Sequence, residues 1–314
     1  MVGTACAWGL GGLGADEWVR IANDESLSGP AWYQSIDWIN FVMAMIVALA
    51  LQIATNYAND YSDGKRGTDD PSKRVGPVRL VGNGLATASE VKRAMFVAFG
   101  LALIAGSVLV LRVGWELVPV GIAAVLAGYF YTGGPKPYGY LGLGEAFVFV
   151  FFGLVATFGS AYVQIMPTRR DFTAVSADVL SVFDDALWLS FGCAVICGCF
   201  ATAMLVINNL RDIPGDTISG KRTLAVKLGD QKTRIFYCVL MVLPFVLLPV
   251  VAGVGGRILA GLAFVAVLPS QKPIQTVLAG AKGPALIPVL GATGKVQLLY
   301  GAMLTVGLIA STYV

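Results

Sequence analysis

Apolar residues in this chain come in long runs rather than at the three-and-four spacing of a helix half-exposed to water. The runs lie at about 36–57, 94–113, 117–133, 145–165, 186–208, 234–254, 257–278 and 296–314. Most approach the roughly 20 residues a helix needs to cross a bilayer. The opening MVGTACAWGLGGLG is apolar but short, and it lacks the basic start of a signal peptide. It reads as part of a first helix whose beginning is truncated. Counted in, it predicts an all-α membrane protein, a bundle of about nine transmembrane helices forming one polytopic domain over 1–314. Composition agrees: 13% of residues are charged, against about a quarter in soluble domains.

The polar residues are bunched between the runs, and their sign fixes an orientation. With nine helices, the connections after helices 2, 4, 6 and 8 share one face. Of the 22 lysines and arginines, only Arg20, Arg112, Arg169, Arg170 and Arg257 fall on the other face. The even connections are therefore expected in the cytoplasm, with the chain in the plasma membrane. The net charge of +3 reflects this sidedness and implies no nucleic-acid partner. Cys193, Cys197 and Cys199 share one apolar run, while Cys6 and Cys238 lie in others, which suits helix packing rather than a disulfide framework. The chain has no histidine, which excludes a Ser-His-Asp hydrolase and a His-ligated zinc.

Two of the cytoplasmic connections carry matched acidic clusters. Asn56, Asp60 and Asp63 are followed by Gly64-Lys65-Arg66, and Asn208, Asp212 and Asp216 by Gly220-Lys221-Arg222. Positions i, i+3 and i+4 share a helix face, so each set can converge. Pro214 is expected to break its helix and turn Asp216 back toward the others. Facing carboxylates repel unless a cation sits between them, and hard oxygen ligands suit Mg²⁺, which shares its shell with phosphates. The neighbouring Lys and Arg can meet outer phosphate oxygens. Solvated helix caps and a sodium- or calcium-coupled transporter are the competing readings of the same residues.

With NYANDYSDGKRGTDD, VGPVRLVGNGL, YTGGPKPYGYLGLGE and NNLRDIPGDTISGKRTLAVKLG, the chain from about residue 40 onward resembles the UbiA superfamily of intramembrane prenyltransferases. Within it the likeness is to the enzymes that prenylate 1,4-dihydroxy-2-naphthoate in menaquinone biosynthesis. The Asp motifs carry the superfamily, and the Gly-Pro-Val-Arg and Tyr-Thr-Gly-Gly-Pro-Lys stretches carry the narrower likeness. The family normally has a basic, proline-containing stretch before helix 1, whereas this sequence begins within that helix.

The resemblance implies helices around a central cavity, and a polyprenyl diphosphate and 1,4-dihydroxy-2-naphthoate as substrates, joined with loss of CO₂ and diphosphate. Relatives acting on 4-hydroxybenzoate or homogentisate are the alternatives within the superfamily. It implies two Mg²⁺ ions, one on Asn56, Asp60 and Asp63 and one on Asn208, Asp212 and Asp216, with Asp60, Asp63, Asp212 and Asp216 catalytic. Lys65, Arg66, Arg79, Lys221 and Arg222 are diphosphate candidates, with Arg79 equally a partner for the aromatic carboxylate. Tyr131, Lys136 and Tyr138 are candidates for the aromatic substrate, beside Tyr140; Lys136 is expected to pair with a substrate carboxylate or with Glu145. Segment 64–93 reads as a lid, 166–185 as an exterior loop, and 272–295 as an irregular end to helix 8.

Overall fold

The computed structural model describes residues 1–8, 36–67, 78–171 and 177–313. Residues 9–14 of the opening run, 68–77 of the lid segment and 172–176 of the exterior stretch lie outside the described residues. Among the described residues there are nine helical segments, besides a four-residue 3₁₀ turn at Tyr138–Leu141, and no strand. They are α1 (Val2–Cys6), α2 (Trp38–Arg66), α3 (Ala88–Arg112) and α4 (Leu117–Phe130). Then α5 joins Gly144–Val148, the π-helical Phe149–Phe158 and Gly159–Asp171, and α6 covers Ala177–Ile218. The last three are α7 (Leu224–Val254), α8 (Ile258–Leu278) and α9 (Gly283–Ala310). Seven are long and apolar enough to cross a membrane; α4 is a shorter apolar helix and α1 a single turn. The chain is the expected all-helical membrane bundle.

Helix ends decide where the acidic clusters sit. α2 starts at Asp37, whose carboxylate accepts the Asn40 N–H at 3.0 Å. It runs past its apolar stretch to stop at Gly67, in the left-handed region at φ 69° that ends helices without strain on glycine. Asp60 and Asp63 therefore lie inside the helix. α3 opens on a capping box between Thr87 and Glu90, a device worth about 1 kcal/mol.

Three expectations are corrected. Pro214 does not break α6: the helix continues through it to Ile218. The missing N–H leaves the Leu210 carbonyl without its usual donor four residues on, a single lost bond that the rest of the 42-residue helix carries. The exterior stretch 166–185 is largely helical, with α5 extending to Asp171 and α6 beginning at Ala177. α9 begins at Gly283 rather than near 296. The break before it is a four-residue turn, and Pro284 and Pro288 fall in first turns, where the missing N–H is tolerated.

The larger buried cluster includes Phe200, Tyr237, Leu248 and Tyr300, from α6, α7 and α9. A smaller one joins Ala54 and Ala58 of α2 to Met95 and Phe99 of α3. Gly153 and Gly198 let α5 and α6 touch backbone to backbone; a Cβ on Gly153 would lie 2.3 Å from the Gly198 Cα. The four even connections meet at one end of the bundle. Arg66 donates to the carbonyls of Thr132 and Gly134. The Arg222 N–H donates to the Tyr140 carbonyl at 2.9 Å, and Lys227 Nζ to the Leu141 carbonyl at 2.6 Å. Arg234 reaches the carbonyls of Val277 and Ala281 at 2.6 and 2.8 Å. Arg112 lies at the opposite end, paired with Asp37 at 2.7 Å.

Candidate active site

A cavity of about 1310 Å³ opens where the even connections meet and runs down between α2, α4, α5 and α6. Its head is polar: Asn56, Asn59, Asp60, Asp63, Arg79, Asn208, Asn209, Arg211, Asp212, Asp216 and Lys221 line it. Its tail is nearly all apolar and rich in small residues, including Ala44, Ala48, Gly121, Ala124, Phe151, Ala156 and Val163. At the far end Asn40, fully buried, donates to the Val163 carbonyl at 2.8 Å and accepts from Arg112 Nε at 2.8 Å.

α2 supplies two buried carboxylates that grip different connections. Asp60 accepts the backbone N–H groups of Leu80 and Val81 at 2.8 and 2.9 Å, one on each oxygen. That fixes the turn carrying Arg79 over the cavity. Asp63, one turn on, accepts from the Tyr140 hydroxyl and pairs with Lys221 Nζ at 3.3 Å. Asn56 donates its amide to the Gln52 carbonyl at 2.9 Å, leaving its oxygen toward the cavity.

α6 supplies the facing set. Asp212 is held by both ends of the buried Arg211 guanidinium, each at 2.7 Å. Asp216 accepts from the Thr223 hydroxyl at 3.3 Å. Asn208 lines the same space and keeps a buried Oδ1 that has no hydrogen-bond partner. Leaving a buried acceptor unpaired is unfavourable by about 1–3 kcal/mol, which marks it as a place for a cation or donor.

The basic residues divide. Arg79 and Lys221 line the cavity, as expected. Lys65, Arg66, Arg222 and Lys136 are exposed and do not line it. Lys65 lies 6.0 Å over the Tyr61 ring, and Arg66 ties connections together. Arg211 was not singled out from the sequence, yet it is the most deeply buried cation at the head, its side chain 4% exposed. Its position directly before Asp212 in a helix that otherwise reads as apolar is the available signal.

Tyr131, Tyr138 and Tyr140 all line the cavity. Tyr131 meets Tyr138 edge-on at 5.5 Å, Tyr138 stacks on Phe147 at 3.9 Å, and Phe147 faces Phe151 at 6.0 Å. These rings line the cavity from the polar head into the tail. The Tyr138 hydroxyl donates to the Ala127 carbonyl at 2.7 Å, anchoring the ladder to α4. Burial pushes both phenols well above their ordinary pKa, and for Tyr131 the nearby Glu145 adds to the rise. Both stay neutral and protonated at any physiological pH. Their faces are available to a cation.

The head fits a divalent cation in its chemistry. Four carboxylates face three cationic side chains among the described residues, and the Asn56 and Asn208 amide oxygens add neutral hard donors. No three acidic groups are already gathered at ligation spacing among the described residues. The two sets face each other across a gap that an anion and its counter-ions would close.

The UbiA prenyltransferase family matches residues 29–282, a stretch containing both carboxylate sets. A 1,4-dihydroxy-2-naphthoate octaprenyltransferase of Mycobacterium tuberculosis is 43% identical over 275 residues, covering 86% of this chain and 85% of the relative. The protein of that name in Escherichia coli is 34% identical, covering 90% and 88%. The fold is similar to a structure described as digeranylgeranylglyceryl phosphate synthase, with a TM-score of 0.52 at 17% identity, covering 88% of both chains. It is equally similar to a UbiA homolog from Aeropyrum pernix K1, with a TM-score of 0.52 at 14% identity, covering 88% of this chain and 94% of that one. Sequence over nearly the whole chain and the helical architecture thus agree, and the chain belongs to the UbiA prenyltransferase family.

Proposed function

We propose that this protein transfers a polyprenyl group from polyprenyl diphosphate to 1,4-dihydroxy-2-naphthoate, releasing CO₂ and diphosphate and forming demethylmenaquinone. The observation that carries the reading is the division of one cavity into a charged head and a long apolar tail. That is the shape of an amphiphile with a diphosphate at one end. The acceptor rests on the relatives' names and on the Gly-Pro-Val-Arg and Tyr-Thr-Gly-Gly-Pro-Lys stretches.

In the reaction the allylic C–O bond breaks and its electron pair leaves with the diphosphate. The ring carbon bearing the carboxylate attacks the allylic carbon, and the electron pair of the departing CO₂ restores the aromatic ring. Arg79, Lys221 and Arg211 meet the growing charge on the diphosphate. Asn56, Asp60 and Asp63 on one side, and Asn208, Asp212 and Asp216 on the other, would hold Mg²⁺, which would supply the Lewis acidity that makes diphosphate a viable leaving group. Tyr131, Tyr138 and Phe147 offer ring faces to the allylic cation while their packing excludes water. The connections at 78–87 and 131–143 cover the head, held by Asp60 and Asp63. With the basic connections inside, the site faces the cytoplasm of the plasma membrane.

The test is purified protein in liposomes, supplied with Mg²⁺, labelled polyprenyl diphosphate and each aromatic acid separately. Prenylated, decarboxylated naphthoate is the expected product. Product from 4-hydroxybenzoate or homogentisate alone would move the chain to another branch of the superfamily. A cation-coupled carrier is disfavoured, because such a carrier needs a polar path across the bilayer. This tail is apolar and ends on the Asn40 and Arg112 network.

A further inference from the structure

Glu145 is 4% exposed and none of the steps above uses it. It sits in the first turn of α5 and does not line the cavity. One carboxylate oxygen accepts from Asn209 Nδ2 at 2.9 Å; the other is buried with no hydrogen-bond partner. A carboxylate only accepts, so it forces the Asn209 amide to turn its NH₂ inward. The Asn209 oxygen is then left for the cavity, which Asn209 lines. Among the described residues no donor satisfies that oxygen.

Its depth restricts what it can meet. Asn209 lies three residues before Asp212 on α6, about 4.5 Å deeper along the helix than the charged head. Leu205, about one further turn down, already belongs to the apolar wall. The neighbouring α5 residue, Gly144, has its Cβ position 3.5 Å from the Tyr131 hydroxyl, at the top of the aromatic ladder. This is the level where the diphosphate ends and the ring must approach the allylic carbon. A diphosphate or a carboxylate carries no donor there and would be repelled by an amide oxygen. A ring hydroxyl is the donor that the proposed acceptor brings.

We propose that Glu145 is a positioning residue that orients Asn209, and that the Asn209 Oδ1 accepts a hydroxyl of the aromatic substrate beside the carbon that is prenylated. This rests on the reading of the chain as a hydroxyarene prenyltransferase and adds the group that selects a hydroxylated ring. The orientation is set by polarity alone. Glu145→Gln keeps size but can donate, which lets the Asn209 amide flip and present NH₂ to the cavity.

The experiment measures KM separately for 1,4-dihydroxy-2-naphthoate and for the polyprenyl diphosphate. Glu145→Gln is expected to raise the acceptor KM by about tenfold or more, since a flipped amide no longer accepts the ring O–H, which is left without its acceptor in the desolvated site. The diphosphate KM should stay within about twofold. Adding Asn209→Asp should restore the acceptor KM, because Gln at 145 donates to one Asp oxygen and the other again accepts in the cavity. A role confined to helix packing predicts no such rescue. Equal rises in both KM values, an unchanged acceptor KM, or no rescue would overturn the proposal while activity of the unaltered protein left the functional reading standing. No transfer by the unaltered protein to any hydroxylated acid would overturn that reading itself. Should Glu145→Gln not fold, Asn209→Ser removes the amide and leaves Glu145 in place; an acceptor KM unmoved by it overturns the proposal equally.

Discussion

Asp63 and Lys221, 158 residues apart, form an ion pair at 3.3 Å across the mouth of the cavity, both largely buried. It ties the end of α2 to the turn beyond α6, and the Tyr140 ring lies 4.6 Å from the same ammonium. Under the function proposed above, a diphosphate entering the head would offer Lys221 a more highly charged partner and free Asp63.

Lys221→Gln is therefore expected to raise the KM for polyprenyl diphosphate by about 10- to 100-fold, the range of one charge-assisted hydrogen bond. The acceptor KM should hardly change. Steady-state assays varying each substrate in turn read this directly; a rise confined to the acceptor would place Lys221 elsewhere in the reaction.

Asp60 does structural work besides any on a cation. Asp60→Asn puts an NH₂ against one of the two backbone donors of Leu80 and Val81, at a cost of about 1–3 kcal/mol to the order of that turn. The connection after α2 should then be cut faster by limited proteolysis. Asp212→Asn, whose carboxylate holds only Arg211, should leave the proteolysis rate unchanged. Equal rates in both variants would contradict the separate roles.

Much of this was legible because lipid leaves few options. A run of apolar residues must be a helix, and acids placed at its end must be compensated. That reasoning located both carboxylate sets and the end of the bundle they share, while the tyrosines of 131–140 came from the family resemblance. Counting lysines fixes a side of the membrane but not the direction of a side chain. Lys65, Arg66, Arg222 and Lys136 are on the expected face and still point away from the cavity. Pro214 misled because one missing donor, that to the Leu210 carbonyl, does not outweigh the remaining hydrogen bonds and packing of a long helix. Arg211 escaped, and Glu145 was expected only as a partner for Lys136, because their contacts are with Asp212 and Asn209, and sequence proximity shows only the Arg211–Asp212 pair.

The shared face has a chemical test. Cysteines introduced at Lys136 and Thr217, both exposed at the even connections, should resist an impermeant thiol reagent in intact cells and react once the membrane is opened. A cysteine at Trp115, 76% exposed at the opposite end, should react in intact cells. The reverse pattern would invert the orientation and place the cavity mouth outside.

The tail of the cavity should be sensitive to bulk. Along α2 from Asp60 to Ala44 it extends about 24 Å, from the 1.5 Å rise per residue. Gly121 and Ala124 of α4 line it. Gly121→Phe should spare transfer from geranyl diphosphate and lower kcat/KM for longer chains by about tenfold or more. A uniform loss at all chain lengths would mean that the isoprenoid takes another route.

The two carboxylate sets should fail as one unit. Asp63→Asn and Asp212→Asn each keep size while removing a charge from one side of the head. If both sides must neutralise a single leaving diphosphate, either change alone lowers kcat by about a hundredfold or more. The double variant should then lose little beyond the worse single one, because groups acting on one step are not additive. EDTA should bring the unaltered protein to the same low rate, and added Mg²⁺ should restore it. Independent sites would instead give a double variant whose loss is the product of the two. That outcome, or transfer persisting in EDTA, would remove the facing-carboxylate account and leave Asp63 as an anchor for the connections it holds and Asp212 as the partner of Arg211.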